Sequence, residues 1–259
     1  VFRPANGFWF IINSANGSFN FSQFGAVTDV IAPADYDGDG KTDLAVYRAG
    51  TWFRLKSATN TFDGIAFGNP SDKPLPADFD GDGKADLAVF RPANGVWYRL
   101  LSGSNAFTSV QFGASGDIPL AADFDGDGNA DANVFRPSNG SWFRLNSTNG
   151  AFNAVQFGQN GDQPLAGDYD GDGKADVAVF RPSTGIWFTL RSSDNSLSAA
   201  AFGLSTDLPT PADYDGDGKT DIAVFRPSSG SWFRLNSSNN AFIAAQFGAS
   251  GDVPIPASR

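Results

Sequence analysis

Six times along the 259 residues the word Val-Phe-Arg-Pro, or a close variant, returns: at Val1, Val46, Val89, Val134, Val179 and Val224. The spacings are 45, 43, 45, 45 and 45 residues, the short one arising where Ala49-Gly50-Thr51 replaces a longer Pro-Ala-Asn-Gly-type turn. A tryptophan follows each word, at Trp9, Trp52, Trp97, Trp142, Trp187 and Trp232. A Phe-Gly pair then recurs at Phe24, Phe67, Phe112, Phe157, Phe202 and Phe247. Self-similarity at a fixed period of this size marks a repeat architecture, each unit being one supersecondary element that buries its apolar face against its neighbours.

Residues 118–158 show what one unit is. Ile118 to Phe124 reads as a first strand, with Pro119 tolerated near its start. A Gly- and Asp-rich loop turns the chain into a second strand, Ala130 to Arg136. Pro137-Ser-Asn-Gly140 is a turn, and Ser141 to Leu145 a third strand. Ser147-Thr-Asn-Gly150 makes another hairpin turn before a fourth strand from Ala151 to Phe157. Stretches with helical periodicity are absent, so the chain is expected to be all-β.

Four-stranded units repeated every ~40–50 residues form β-propellers. The expected architecture is a six-bladed β-propeller of four-stranded antiparallel blades, a single domain spanning 1–259 and closed by strands from both termini. Val1 enters in phase with the second strand of a unit, and Val253-Pro-Ile-Pro256 matches a first strand. The closing blade would therefore take three strands from residues 1–25 and one from the other end, bringing Val1 and Arg259 together. Ser258 stands where a sixth Asp-rich loop would begin.

Those loops carry the chemistry. The first runs Asp35, Asp37, Asp39, Lys41, Asp43, with Asp at positions 1, 3, 5 and 9 and Gly at 4 and 6. The others repeat it: Asp78, Asp80, Asp82, Lys84, Asp86; Asp123, Asp125, Asp127, Asn129, Asp131; Asp168, Asp170, Asp172, Lys174, Asp176; and Asp213, Asp215, Asp217, Lys219, Asp221. Four carboxylates within nine residues repel one another unless a cation sits between them. Hard oxygen ligands on a flexible loop suit calcium, whereas magnesium takes fewer carboxylates and keeps more of its waters. The alternating Asp residues and the Gly at position 6 are shared with the calcium loop of an EF-hand. Position 12, however, is Val46, Val89, Val134, Val179 or Val224 and never Glu, and the flanks alternate as strands. About five calcium ions are expected, in β-hairpin loops.

The charge agrees. All 28 acidic residues are Asp, the five loops hold 20 of them, and five dications would cancel the formal charge of −10. Nothing forms a basic stripe, which disfavours nucleic acid as a partner. Disulfide and thiol chemistry are excluded because Cys is absent. No run of ~18 apolar residues offers a membrane span. The chain begins at Val1, contains no Met, and reads as an excised or processed segment.

The combination Phe-Gly, Asp-x-Pro and Asp-x-Asp-Gly-Asp-Gly-x-x-Asp resembles the FG-GAP/VCBS-type repeats of bacterial secreted proteins, and is similar to the calcium-bearing blades of integrin α-subunit propellers. The resemblance covers essentially the whole chain. It implies calcium in the hairpin loops at one face and ligand recognition elsewhere. It also implies an extracellular, secreted or cell-surface setting with a structural, adhesion or protein-interaction role. The metal ligands it implies are the four Asp of each loop and the backbone carbonyl of Lys41, Lys84, Asn129, Lys174 or Lys219. Two departures stand out: Asp29-Val-Ile breaks the Asp-x-Pro word in one unit, and the split blade has no complete loop.

Other recurring residues admit two readings each. The six Trp residues pack blade against blade or serve as sugar-stacking platforms in a calcium-dependent lectin, the alternative function; packing is the expected role. Arg3, Arg48, Arg91, Arg136, Arg181 and Arg226 form charge-assisted pairs with the set Asp29, Asp72, Asp117, Asp162, Asp207 and Asp252, which recurs in the same six units, or form a ring that grips an anion; pairing is expected. A second set, Arg54, Arg99, Arg144 and Arg234, replaced by Ile11 and Thr189 elsewhere, is expected at the surface or rim. Catalysis is not expected. No His, Cys or Glu is present, which removes Ser-His-Asp and Cys-His arrangements and the usual zinc ligand sets. The partner is an unidentified protein or glycan, or further copies of the chain.

Overall fold

The computed structural model of the chain describes residues 1–14 and 16–256. Among them are five four-stranded antiparallel sheets and one of three strands, each with its strands in sequence order. The four-stranded blades span residues 30–66, 73–111, 118–156, 163–201 and 208–246, and are called blades 1 to 5. Phe2–Arg3, Phe8–Ile12 and Phe19–Gln23 form the sixth, closing blade. Its missing partner comes from the other end of the chain. Phe2 and Val253 exchange both backbone hydrogen bonds, at 2.9 and 2.7 Å. The six blades form a closed all-β ring. Arg259 and Ser258 lie outside the described residues, so the expected meeting of Val1 with Arg259 and the place of a sixth loop do too.

In blade 3 the strands are Ile118–Ala122, Asp131–Arg136, Ser141–Leu145 and Phe152–Gln156, within two residues of the sequence reading at each end. Arg136-to-Ser141 and Leu145-to-Phe152 turns use residues in the left-handed region, Gly140 at φ 66° and Gly150 at φ 69°. Asn60, Asn105, Asn195 and Asn240 take the place of Gly150 in the other blades, at φ 55–57°, because Asn tolerates this conformation better than other side chains. The shortened unit has a different turn. Ala49 and Gly50 are consecutive at φ 50° and 92°, the pattern of a two-residue hairpin turn.

The core lies between blades. Phe90 and Trp97 of blade 2 pack with Ala130, Ala132 and Val134 of blade 3. Phe135 and Trp142 meet Ala175, Val177 and Val179 of blade 4 in the same way. Phe2 and Trp9 of the closing blade meet Val46 of blade 1. Five of the six Trp residues are at most 1% exposed, and Trp232 is half-buried. Burial of this kind contributes roughly 1.5–3 kcal/mol per large side chain. Each Trp also has a polar partner. The six indole N–H groups donate to the carbonyls of Phe24, Phe67, Phe112, Phe157, Phe202 and Phe247, at 2.6–3.0 Å. This bond explains why Trp and Phe-Gly recur together. The glycine of the pair is required as well: Gly113 has φ 131°, and a Cβ there would lie 2.9 Å from the Phe90 ring.

The packing reading of the Trp residues is therefore the observed one, and Trp97 and Trp142 are not available as sugar platforms. The Arg–Asp pairing is observed in all six units, with Nε and Nη2 of each Arg on the two oxygens of its Asp at 2.6–2.9 Å. Each guanidinium also lies over an aromatic ring of the third strand, as Arg91 does over Tyr98 at 4.4 Å. The second Arg set is not at the surface or rim, contrary to the sequence reading. Arg54, Arg99, Arg144 and Arg234 are half-buried, their guanidinium carbons 5.0–5.5 Å from the rings of Tyr36, Phe79, Phe124 and Tyr214. Those rings occupy position 2 of the Asp-rich loops. The long apolar stem and the attraction of a cation for a ring face draw these Arg inward. Burial lowers the pKa of Arg99 and Arg144, against the raising effect of Asp86 and Asp131 respectively.

Candidate metal centres

The Asp-rich loops join the first strand of each blade to the second, and one mechanism shapes all five. The carboxylate at position 1 folds back over its own loop and accepts the N–H groups of Gly at positions 4 and 6. In the first loop Gly38 and Gly40 donate to Asp35 at 2.6 and 2.7 Å, and the other four loops repeat this at 2.5–3.0 Å. All these glycines have φ between 78° and 88°, a conformation that bends the loop sharply and that side chains rarely adopt.

Position 9 is the anchor. Asp43, Asp86, Asp131, Asp176 and Asp221 are fully buried. Each accepts the position-2 backbone N–H at 2.8–2.9 Å and, at 2.6 Å, the N–H of a serine in the following hairpin. The same serines, Ser57, Ser102, Ser147, Ser192 and Ser237, turn their hydroxyls onto the position-5 carboxylates at 2.8–3.0 Å. Sequence reasoning missed them. A serine standing five residues after every Trp was the available signal.

Each loop brings three carboxylates to a point. One oxygen from each of Asp35, Asp37 and Asp39 lies within 4.8 Å of the others, and Asp123, Asp125 and Asp127 do the same. In the remaining loops positions 1, 3 and 9 converge: Asp78, Asp80 and Asp86; Asp168, Asp170 and Asp176; Asp213, Asp215 and Asp221. The fourth carboxylate of each loop, Asp43, Asp82, Asp131, Asp172 or Asp217, stands outside that group. Burial raises the pKa of Asp43, Asp86, Asp131 and Asp176, and the N–H groups they accept oppose the rise. At Asp127, burial also works against ionisation, but hydrogen bonds from Asn129, Thr148 and Ser147 outweigh it and lower the pKa.

The donor set fits a hard divalent cation. Oδ1 of Asp80 and Oδ1 of Asp125 are buried and have no hydrogen-bond partner. An orphaned buried carboxylate oxygen costs several kcal/mol unless something positive meets it. Both belong to position 3, which is a member of the converging group in every loop.

The FG-GAP-like repeat matches residues 78–134, 123–179 and 168–224, and the FG-GAP repeat matches 209–243. Together these cover more than half of the chain. It belongs to the FG-GAP repeat family. The matched stretches of this FG-GAP chain contain four of its five loops. No curated protein matches it in sequence. Among solved structures, a streptogramin B lyase is similar with a TM-score of 0.62 and 11% identity, over 94% of this chain and 77% of the lyase. A lectin from Agrocybe aegerita, described as recognising non-reducing terminal N-acetylglucosamine, gives 0.60 and 18% over 91% and 73% of the two chains. A catalytically inactive histidine-to-alanine variant of virginiamycin B lyase from Staphylococcus aureus, solved with quinupristin, gives 0.57 and 12% over 93% and 78%. At these identities the likeness is one of fold.

Proposed function

We propose that this FG-GAP chain is a calcium-stabilised extracellular propeller, one domain over 1–259, that acts as a structural, adhesion or protein-interaction module. The observation that carries the reading is the convergence of three carboxylate oxygens within 4.8 Å in each of five loops. The ligands assigned are the four Asp of each loop with the carbonyl of Lys41, Lys84, Asn129, Lys174 or Lys219. Calcium supplies positive charge that lets the loop carboxylates lie together; the chain's own residues do the orienting. The position-9 Asp and the hairpin serine hold the loop against the blade.

An interaction role is supported by the closing blade. Phe8 and Phe21 stand there where the other blades carry smaller residues, and with Phe10, Phe19 and Asn6 they line a shallow, open apolar recess of about 310 Å³. Phe19 and Phe21 remain 57% and 65% exposed. Exposed aromatic clusters of this kind mark interaction sites. Glycan recognition is the second reading, favoured by the likeness to the lectin. Its platforms would be exposed phenylalanines and not the Trp residues. Enzymatic chemistry like that of the lyase with the histidine variant has no counterpart here, because the chain contains no His.

A thermal melt with and without chelator, paired with a calorimetric calcium titration, tests the metal reading. At ~2 mM calcium and a Kd of ~0.1 mM, each site adds about 1.8 kcal/mol, and five independent sites add roughly 9 kcal/mol. About five sites and a large fall in Tm on chelation are expected. Absence of both overturns the reading.

A further inference from the structure

The five loops touch one another. The N–H of Ala85 in the second loop donates to the carbonyl of Asp35 in the first at 2.7 Å. Ala130 donates likewise to Asp78, Ala175 to Asp123 and Thr220 to Asp168, each at 2.6 Å. The donor is always position 8 and the acceptor always position 1 of the preceding loop. A side-chain contact accompanies the bond. The position-7 side chain covers the position-4 glycine of the preceding loop so closely that a Cβ on Gly38 would lie 3.1 Å from Lys84. Lys174 and Lys219 cover Gly126 and Gly171 in the same way, and Asn129 covers Gly81.

This contact joins two metal sites through one peptide group. The peptide between positions 7 and 8 carries the carbonyl assigned to its own loop's cation. Its N–H grips the backbone of the first carboxylate residue of the preceding loop. With a cation held at that carbonyl the peptide would be polarised and its N–H would become a stronger donor, since hydrogen bonds in a chain reinforce one another. Fixing Asp35 or Asp78 in this way orders a ligand before its own cation arrives. The effect is reciprocal, since coupling between two binding equilibria acts equally on both.

We propose that the calcium sites of neighbouring blades bind cooperatively, coupled by the position-8 to position-1 hydrogen bond along the series from the first loop to the fifth. The inference rests on the metal reading above and adds an order to it: occupancy of one loop raises the affinity of its immediate neighbours.

The test follows each loop separately in the full chain, through the amide resonances of Gly40, Gly83, Gly128, Gly173 and Gly218 during calcium titration. The D125N/D127N variant removes the third site. It leaves that loop with two carboxylates, the same net charge as four carboxylates holding one calcium, so long-range electrostatics are matched to the loaded neighbour. The expected result is a calcium midpoint raised about 5-fold or more at Gly83 and Gly173, with Gly40 and Gly218 much less affected. Unchanged midpoints in all four remaining loops overturn the coupling. So does equal weakening in all four, which reports a general loosening of the ring. The D215N/D217N variant supplies an independent reading should the first fail to fold, and it should weaken the fourth loop alone. If the wild-type glycines do not respond to calcium at all, the metal reading itself fails, a result distinct from both.

Discussion

Arg3 and Asp252 stand 249 positions apart in sequence, yet Nε and Nη2 of the one donate to the two carboxylate oxygens of the other at 2.7 and 2.8 Å. The pair repeats a bond that each other blade makes between residues 19 apart. Here it joins the two ends of the chain, beside the Phe2–Val253 bridge. Phe19 and Phe247 add an edge-on ring contact at 6.3 Å between the closing blade and blade 5. Substituting Arg3→Leu leaves the buried Asp252 with the Ala249 N–H as its remaining hydrogen bond, a loss of about 2–3 kcal/mol. Urea unfolding should show that loss. Hydrogen exchange should also accelerate at the amides of Phe2 and Val253 while the amides of blade 3 keep their protection.

The same pair sets an acid response. Burial works against ionisation of Asp252, but the Arg3 hydrogen bonds, the Ala249 N–H and nearby positive charge outweigh it and lower its pKa. A carboxyl with a depressed folded pKa binds protons more weakly in the folded than in the unfolded chain. Its contribution is therefore fully present above the unfolded value of about 3.9 and is lost as pH falls through the folded value. Asp252→Asn should lower stability at neutral pH and flatten the acid limb below pH ~4. An unaltered acid limb in the variant would remove Asp252 from that response.

Three tyrosines at position 2 of the loops separate two roles for one hydroxyl. Tyr36 and Tyr214 donate to the carbonyls of Ala32 and Thr210 at 2.6 and 2.7 Å. The hydroxyl of Tyr169 is buried without a partner, and that blade carries Thr189 at the chain position where four others carry Arg. Tyr36→Phe and Tyr214→Phe should each cost about 1 kcal/mol, whereas Tyr169→Phe should be neutral or stabilising by a similar amount. Phe79 and Phe124 already occupy the equivalent place in blades 2 and 3. Melting temperatures of the three variants decide the matter.

The hairpin serines connect the loops to the outer part of each blade. Ser147 holds Asp127 through its hydroxyl and Asp131 through its N–H. Groups that orient ligands typically change metal affinity by roughly 10–100-fold when removed. Ser147→Ala keeps the N–H and loses the hydroxyl, so a weakening near 10-fold at the third loop is expected. Loop-resolved titration would show it at Gly128, and an unchanged midpoint there would make the serine a purely structural contact.

Much of this was legible because the repeat prints each constraint six times. The Trp, Phe-Gly and Arg–Asp sets each recur in register, and each proved to be one interaction: indole to carbonyl, glycine under a ring, guanidinium to carboxylate. The second Arg set was misread because a lone charge on a strand looks solvent-facing until its aromatic partner is known. Arg99 lies on the third strand of blade 2 and Phe79 in the Asp-rich loop before its second strand, and neither the alternation of the strand nor the spacing of the loop shows that they stack. The hairpin serines were overlooked for a similar reason. A serine in a turn is unremarkable until the chain brings it to Asp127 or Asp131.

By itself the sequence determined the local rules: strand alternation, turns at Gly and Asn, and four carboxylates set at fixed intervals in five loops. Period and pattern carry these because they depend on backbone geometry within a few residues. Tertiary structure alone decided what crosses between units. It set which carboxylates converge, left Oδ1 of Asp80 and Asp125 buried and unpaired, and laid Ala85, Ala130, Ala175 and Thr220 against the loops of the preceding blades. Those contacts depend on the angle and offset between neighbouring blades, which arise from the packing of Trp, Phe and Val side chains summed around a closed ring.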